Sequence, residues 1–123
     1  MLPNNTKFNT DLKNYYLKAI ADTSNHYNNP KYFIFTDDPL WTTKNFTLDY
    51  SFKIVDINRG ANSFLDMYLM SLCKSNIIAN SSFSWWGAWL NNNKNKIVYA
   101  PKTWFNDEKI ITDDLYPNSW NVI

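Results

Sequence analysis

SFLDMYLMSLCKSNIIANSSFSWWGAWL, residues 63–90, decides the fold. Its first part, 63–73, is almost wholly apolar and predicts a buried helix, followed by a short apolar strand over 76–79. A polar turn, 80–84, then leads into a second helix, 85–90, that carries Trp85, Trp86 and Trp89. Where a parallel strand ends and a helix begins, backbone N–H groups lack intrahelical partners and the helix dipole is positive, so the layout favours an anion. Asn80, Ser81, Ser82 and Ser84 add side-chain donors there. The competing reading is local: Ser82 or Ser84 caps the helix, since serine is a preferred cap anywhere.

The surrounding composition bounds the possibilities. A chain of 123 residues fits one domain and buries roughly two-thirds of the surface its unfolded form exposes. Net charge is +1 and Arg59 is the sole arginine, which argues against a nucleic-acid partner because nothing builds a basic face. Cys73, the only cysteine, lies in an apolar helical run and reads as core in a reducing compartment. The first ten residues have neither a basic nor an apolar signal-type segment, and no apolar run is long enough to span a bilayer, so the expected location is cytoplasmic.

Outward from the central stretch, helix and strand alternate. Residues 10–27 carry apolar groups at Leu12, Tyr15, Tyr16, Ala19 and Ile20, an amphipathic helix with Thr10 as its cap and Asn28, Asn29 and Pro30 as its stop. His26, the only histidine, falls in the last turn and reads as a complement to the dipole. KYFIFT (31–36) predicts a strand buried on both faces. Asp37 and Asp38 follow at its carboxyl end, where open α/β sheets place their ligands. They suit a hydroxyl-orienting or basic role, while Asp38 also suits a cap for a short helix over 40–45 with Pro39 at its first position. A second strand is predicted over 52–57, then a loop, 58–62, in which Arg59 is a solvated residue with a phosphate reading as the alternative.

Ser63-x-x-Asp66 has the spacing of a capping box. The functional alternative is that the Asp66 carboxylate accepts two parallel hydrogen bonds from a guanine edge. Trp85, Trp86 and Trp89 at helical spacing read as core. A strand over 96–100 completes an α/β pattern, a parallel sheet with right-handed crossovers and helices on both faces. The segment from Pro101 onward reads as loop and tail. With two glycines, no dinucleotide fingerprint or P-loop is present.

FTDDPLW (35–41), LDMYLMSLCKSNIIANSSFSWWGAWL (65–90), APKTWFND (100–107) and DLYPNSW (114–120) together resemble the carboxyl-terminal part of the α-1,2-fucosyltransferases of glycosyltransferase family 11. The resemblance implies a GT-B-like enzyme whose second, Rossmann-like half holds GDP-L-fucose, with the whole chain, 1–123, corresponding to that donor-binding half. By the wider likeness to other fucosyltransferases, it implies that Asp66 reads guanine, that Asn80, Ser81, Ser82, Phe83 and Ser84 line the pyrophosphate and fucose, and that Asp38 is near the donor. The catalytic base is left open, with Asp37 and Asp38 as the candidates. No metal or other cofactor is implied. The implied partners are GDP-fucose and a galactoside acceptor, and the family's association with the membrane implies a place at the periphery of the inner membrane.

The sequence departs from the family in three respects. Members carry upstream a His-x-Arg-Arg-Gly-Asp-Tyr motif, whose arginine pairs with the donor phosphates, and an amino-terminal acceptor domain. Neither has a counterpart here, Arg59 does not occupy that place, and Ser75 stands where histidine is frequent. The expectation is therefore the back half of an enzyme, inactive by itself or completed by a separate chain. The rival expectations are a non-catalytic GDP- or sugar-binding module and a residual interaction domain.

Overall fold

The computed structural model describes residues 12–102 and 115–123. The cap expected at Thr10, and most of the 100–107 segment, lie outside them. Helix α1 (Leu12–His26) turns Leu12, Tyr15, Tyr16, Ala19, Ile20 and Thr23 inward, as the three-and-four spacing requires. Beyond it Asn29 adopts a left-handed conformation (φ 53°), a backbone state that asparagine tolerates better than most residues, and Pro30 follows.

Strand β1 (Tyr32–Phe35) leads into α2 (Pro39–Asn45) and then β2 (Phe52–Val55). The two strands are parallel, with Ile34 opposite Ile54 and Phe35 opposite Val55. As the sequence indicated, Asp38 caps α2: its Oδ1 accepts the Trp41 N–H at 3.1 Å, with Pro39 at the first helical position. The expected double burial of β1 is corrected, because Phe33 is exposed and the other three residues are only half-buried. A 3-10 turn (Gly60–Asn62) then precedes α3 (Phe64–Ser71).

Strand β3 (Asn76–Ile77), helix α4 (Ser82–Trp89), β4 (Val98–Ala100) and β5 (Asn121–Val122) complete the order. β4 pairs with β3 on one side and β5 on the other, all parallel. β5 arises within the segment expected to be tail: Ile123 N–H donates to Ala100 O and Lys102 N–H to Ile123 O, while Trp120 is buried. The α/β character and parallel pairing agree with the sequence. The single sheet does not, for the described strands form two sheets, β1-β2 and β3-β4-β5. An apolar slot of about 110 Å³, lined among others by Tyr16, Ile20, Phe33, Phe35 and Ile77, lies where β1 and β3 would otherwise pair.

Around β3 and β4 the core follows the two-residue alternation of extended chain. Ala79 and Tyr99, with Ile77 and Ile97 beside them, pack on α1. Ile78, Val98 and Ala100 pack with Ala88 of α4 and Trp120. Helices therefore cover both faces of this sheet. Tyr15 adds a polar tie, its hydroxyl donating to the carbonyls of Ile78 (2.6 Å) and Tyr99 (2.8 Å). Burial pushes its pKa far up, which keeps the proton that both carbonyls need.

A second polar knot holds the ends of α3 and α4. Asn91 Nδ2 donates to Cys73 O (2.7 Å) and Asn76 Oδ1 (2.8 Å), and Asn76 Nδ2 donates to Met70 O (2.8 Å). Lys96 Nζ closes the far end of α4 by donating to Ala88 O (2.9 Å) and Asn91 O (2.7 Å), satisfying carbonyls that a helix end leaves open. Above this knot α3 and α4 touch at Met70 and Gly87. A Cβ on Gly87 would stand 3.0 Å from Met70 Cβ and Cε, so any larger residue there requires Met70 to give way.

The expectation that α3 is buried on most sides is corrected. Only Met70 is buried, while Phe64 and Leu72 are 61% and 62% exposed and Leu65 and Tyr68 face outward. α3 packs chiefly against α4 and the 3-10 turn, with Phe64, Leu65 and Tyr68 left exposed. The tryptophans divide likewise. Trp85 turns in, stacked on Trp89 and tilted against Trp120, with Nε1 donating to Leu115 O at 2.9 Å, but Trp86 and Trp89 are about half exposed rather than core. Cys73 is only half-buried, its thiol directed at Leu69 O.

Gly87→Val should lower unfolding free energy by about 1–3 kcal/mol through overpacking against Met70. The midpoint of urea unfolding measures it, and an unchanged midpoint would show that the helices part without cost.

Candidate functional site

A cleft of about 380 Å³ opens at the carboxyl ends of β1 and β2. Its floor is Phe35 and Val55. One wall comes from the loops that follow these strands, through Thr36, Asp37, Asp56, Asn58, Arg59 and Gly60; the other comes from Ser63, Asp66 and Met70 of the α3 region and Phe83 and Ser84 of α4. Residues just beyond parallel strands carry backbone that no ladder claims, which is why ligands of α/β proteins collect at such ends. Gly60 sits in this wall in a left-handed conformation (φ 57°), which turns the chain from β2 into the 3-10 segment.

Of the sequence-predicted residues, the cleft brings together Asp37, Asp66, Phe83 and Ser84. Asp38 is absent from its lining and is engaged as the α2 cap. Asn80 is buried and Ser82 is exposed outside the lining. The polar turn is shorter than expected, because α4 begins at Ser82 rather than at Trp85. Ser81 is extended (φ −140°, ψ 134°) and its Oγ accepts the Ser84 N–H at 3.2 Å, so the cap is Ser81 and the next three residues are drawn into the first helical turn. Ser84 Oγ points inward, within donating distance of Ala79 O (3.2 Å) and Ser81 O (3.0 Å). What α4 offers the cleft is therefore chiefly the leading edge of its first turn, with the positive end of the dipole, rather than a row of hydroxyls.

Three carboxylates and one guanidinium set the charge of the cleft. Arg59, 74% exposed on its side chain, donates through Nε to Asp56 Oδ1 at 3.1 Å and through Nη2 to the same oxygen. Asp66 does not form the expected capping box. Ser63 is helical in φ and ψ, makes no side-chain cap bond, and its N–H is already taken by Gly60 O at 3.1 Å. Instead Asp66 Oδ1 accepts Asn58 Nδ2 at 2.8 Å across the cleft wall. Among the described residues no group of three or more His, Cys, Asp or Glu could hold a metal ion. His26 lies at the end of α1, beside Asp22, and is not part of the cleft.

Sequence reasoning passed over Asn58 and Asp56. The signal was available, since both follow the carboxyl end of β2 as Asp37 follows that of β1, but neither has a motif spacing to mark it.

Ser81→Ala should cost about 1 kcal/mol in unfolding free energy, as the loss of a helix cap does, whereas Ser82→Ala should stay within about 0.5 kcal/mol. Thermal melts of the two variants measure the difference, and equal losses would contradict the assignment of the cap.

A family model described as glycosyl transferase family 11 matches residues 2–123. The chain is 40% identical over 119 residues to an O-antigen biosynthesis glycosyltransferase, WbnK, of Escherichia coli, covering 94% of this chain and 39% of that protein. It is also 40% identical over 110 residues to an alpha-1,2-colitosyltransferase of Escherichia coli, covering 86% of this chain and 37% of that one. It thus spans about two-fifths of the length of the curated relatives it matches. No solved structure matches it. With the specific NSSFSWWGAWL block inside the matched region, the chain belongs to glycosyl transferase family 11.

Proposed function

We propose that the chain is the donor-binding part of a transferase that moves L-fucose from GDP-L-fucose to the 2-hydroxyl of a galactoside in O-antigen synthesis, in the cytoplasm at the membrane periphery. The observation that carries this reading is the meeting, in one cleft at the ends of β1 and β2, of the Asp66 carboxylate and the first turn of α4. A carboxylate accepts two donors side by side, which suits the N1–H and exocyclic amine of guanine. The first turn of a helix suits a diphosphate. Arg59, paired with Asp56, adds a cation on the facing wall.

Transfer would proceed with inversion through an oxocarbenium-like transition state, by analogy with other glycosyl transfers. Charge growing on the departing GDP would be stabilised by preorganised N–H donors and a cation, without a metal ion. Asp37, exposed on the cleft wall, is the candidate base, and Asp38, held as a cap, is less well placed for it. The acceptor site and the His-x-Arg-Arg-Gly-Asp-Tyr arginine would come from outside these 123 residues, on the same or another polypeptide. A relative named for colitose rather than fucose favours a second reading of the sugar, with the same nucleotide.

Titration calorimetry tests the proposal. The chain should bind GDP more tightly than ADP, and Asp66→Ala should weaken GDP about 10- to 100-fold, the value of hydrogen bonds to a charged group, while leaving ADP unaffected. GDP-fucose and GDP-colitose in parallel titrations distinguish the two sugars. Mixed with a galactoside, the chain by itself should show no turnover. Failure to bind GDP, or equal binding of GDP and ADP, would sink the nucleotide reading, and binding of galactoside alone would replace it with a sugar-binding module resting on Trp86 and Trp89.

A further inference from the structure

We propose that Asn58 is the residue that sets nucleobase specificity, by holding the Asp66 carboxylate in the orientation that accepts a paired donor edge. This rests on the guanosine reading of Asp66 given above and goes one step beyond it, to a residue outside the helix that carries the acid.

An acid three residues after a serine at the start of a helix ordinarily folds back onto the serine N–H. Here that use is closed, because the 3-10 turn has already delivered Gly60 O to the Ser63 N–H at 3.1 Å. Asp66 would be left to rotate about its side-chain torsions. Asn58 prevents this from the opposite strand-end loop, through the 2.8 Å bond from Nδ2 to Oδ1. An ionised carboxylate only accepts, so the amide must present its NH2 group to it. Both residues are half-buried and both line the cleft, where the bond is partly shielded from water.

The other two acids of the cleft differ. Asp56 is engaged by Arg59, and Asp37 is exposed. Asp66 is the half-buried one of the three, its carboxylate restrained by a neutral donor on Oδ1 while Oδ2 accepts no hydrogen bond from the described residues; Asp56, also held through Oδ1, is exposed and already paired with a cation. Oδ1 retains a lone pair after binding the amide. The two oxygens therefore form a fixed acceptor pair. Guanine offers two adjacent donors to such a pair, whereas adenine offers one donor beside an acceptor, N1, which would face a carboxylate oxygen and be repelled. A pocket built to bond a donor discriminates strongly against the base that lacks it.

Calorimetry of the full chain with GDP and with ADP, from pH 5 to pH 8, tests the assignment. Asn58→Leu keeps the volume and removes the donor; the GDP-over-ADP preference should fall about tenfold through GDP, with ADP unchanged. Asn58→Asp sets two carboxylates against each other. At pH 8 both are ionised, and the preference should be as low as in the leucine variant. Two carboxylates at hydrogen-bond distance share a proton as pH falls, with one pKa raised. The protonated partner then donates as the amide did, so the preference should recover toward pH 5 in this variant and not in Asn58→Leu. That recovery is not expected of a residue that merely supports the fold, and it decides the matter even if Asn58→Leu fails to fold. A preference unchanged in Asn58→Leu, or one in Asn58→Asp that does not respond to pH, overturns the role of Asn58 while leaving the nucleotide reading in place. No preference for GDP in the unaltered chain overturns both.

Discussion

The close contact of Met70 with Gly87 is the constraint on which the cleft depends. It fixes how α3 lies on α4, and thereby the placement of Asp66, one turn before Met70, relative to Phe83 and Ser84, one turn before Gly87. The bonds of Asn76 with Asn91 and with Met70 O then anchor the two helices to the start of β3, and Lys96 ties the end of α4 to the segment before β4. Buried amides that satisfy one another in this way hold a definite geometry, because a shift would leave a donor or acceptor unpaired away from water. The site is thus built at one end of a helix pair whose other end is tied by hydrogen bonds.

Much of the fold was legible because local signals and packing agree. The spacing of Leu12, Tyr15, Tyr16, Ala19 and Ile20 marks α1, and Asp38-Pro39 marks the start of α2; both are short-range effects that need no knowledge of the rest of the chain. The alternation of Ile77, Ile78 and Ala79 between two faces likewise follows from extended geometry. What could not be read depended on distant partners. The apolar pattern of Phe64, Leu65, Tyr68 and Leu72 says that something should cover α3, and cannot say whether these residues supply it. Asn121 and Val122 become a strand only because β4 offers an open edge.

The site was legible in part for the same reason. Asp37, Asp66, Phe83 and Ser84 meet in the cleft; Asp37 and Ser84 follow from where a strand ends and a helix begins, whereas Asp66 and Phe83 were marked by the family resemblance. The cap was misplaced by a residue or more because Ser81, Ser82 and Ser84 are chemically alike, and only the extended backbone at Ser81 distinguishes them. The capping box at Ser63 and Asp66 failed because a 3-10 turn took the amide first, a competitor that carries no motif of its own. Asn58 became visible only when a loop from one strand met a helix that follows much later in the chain.

The apolar slot between β1 and β3 bears on how the cleft can respond to an occupant. No backbone ladder crosses it, so the unit bearing Asp37 and Asn58 is joined to the three-stranded unit by side chains and connecting segments. Side-chain packing resists sliding far less steeply than a row of interstrand bonds. The two walls are accordingly held at their spacing by side chains, the Asn58–Asp66 bond among them, and a molecule seated in the cleft would press on those contacts rather than on a strand ladder.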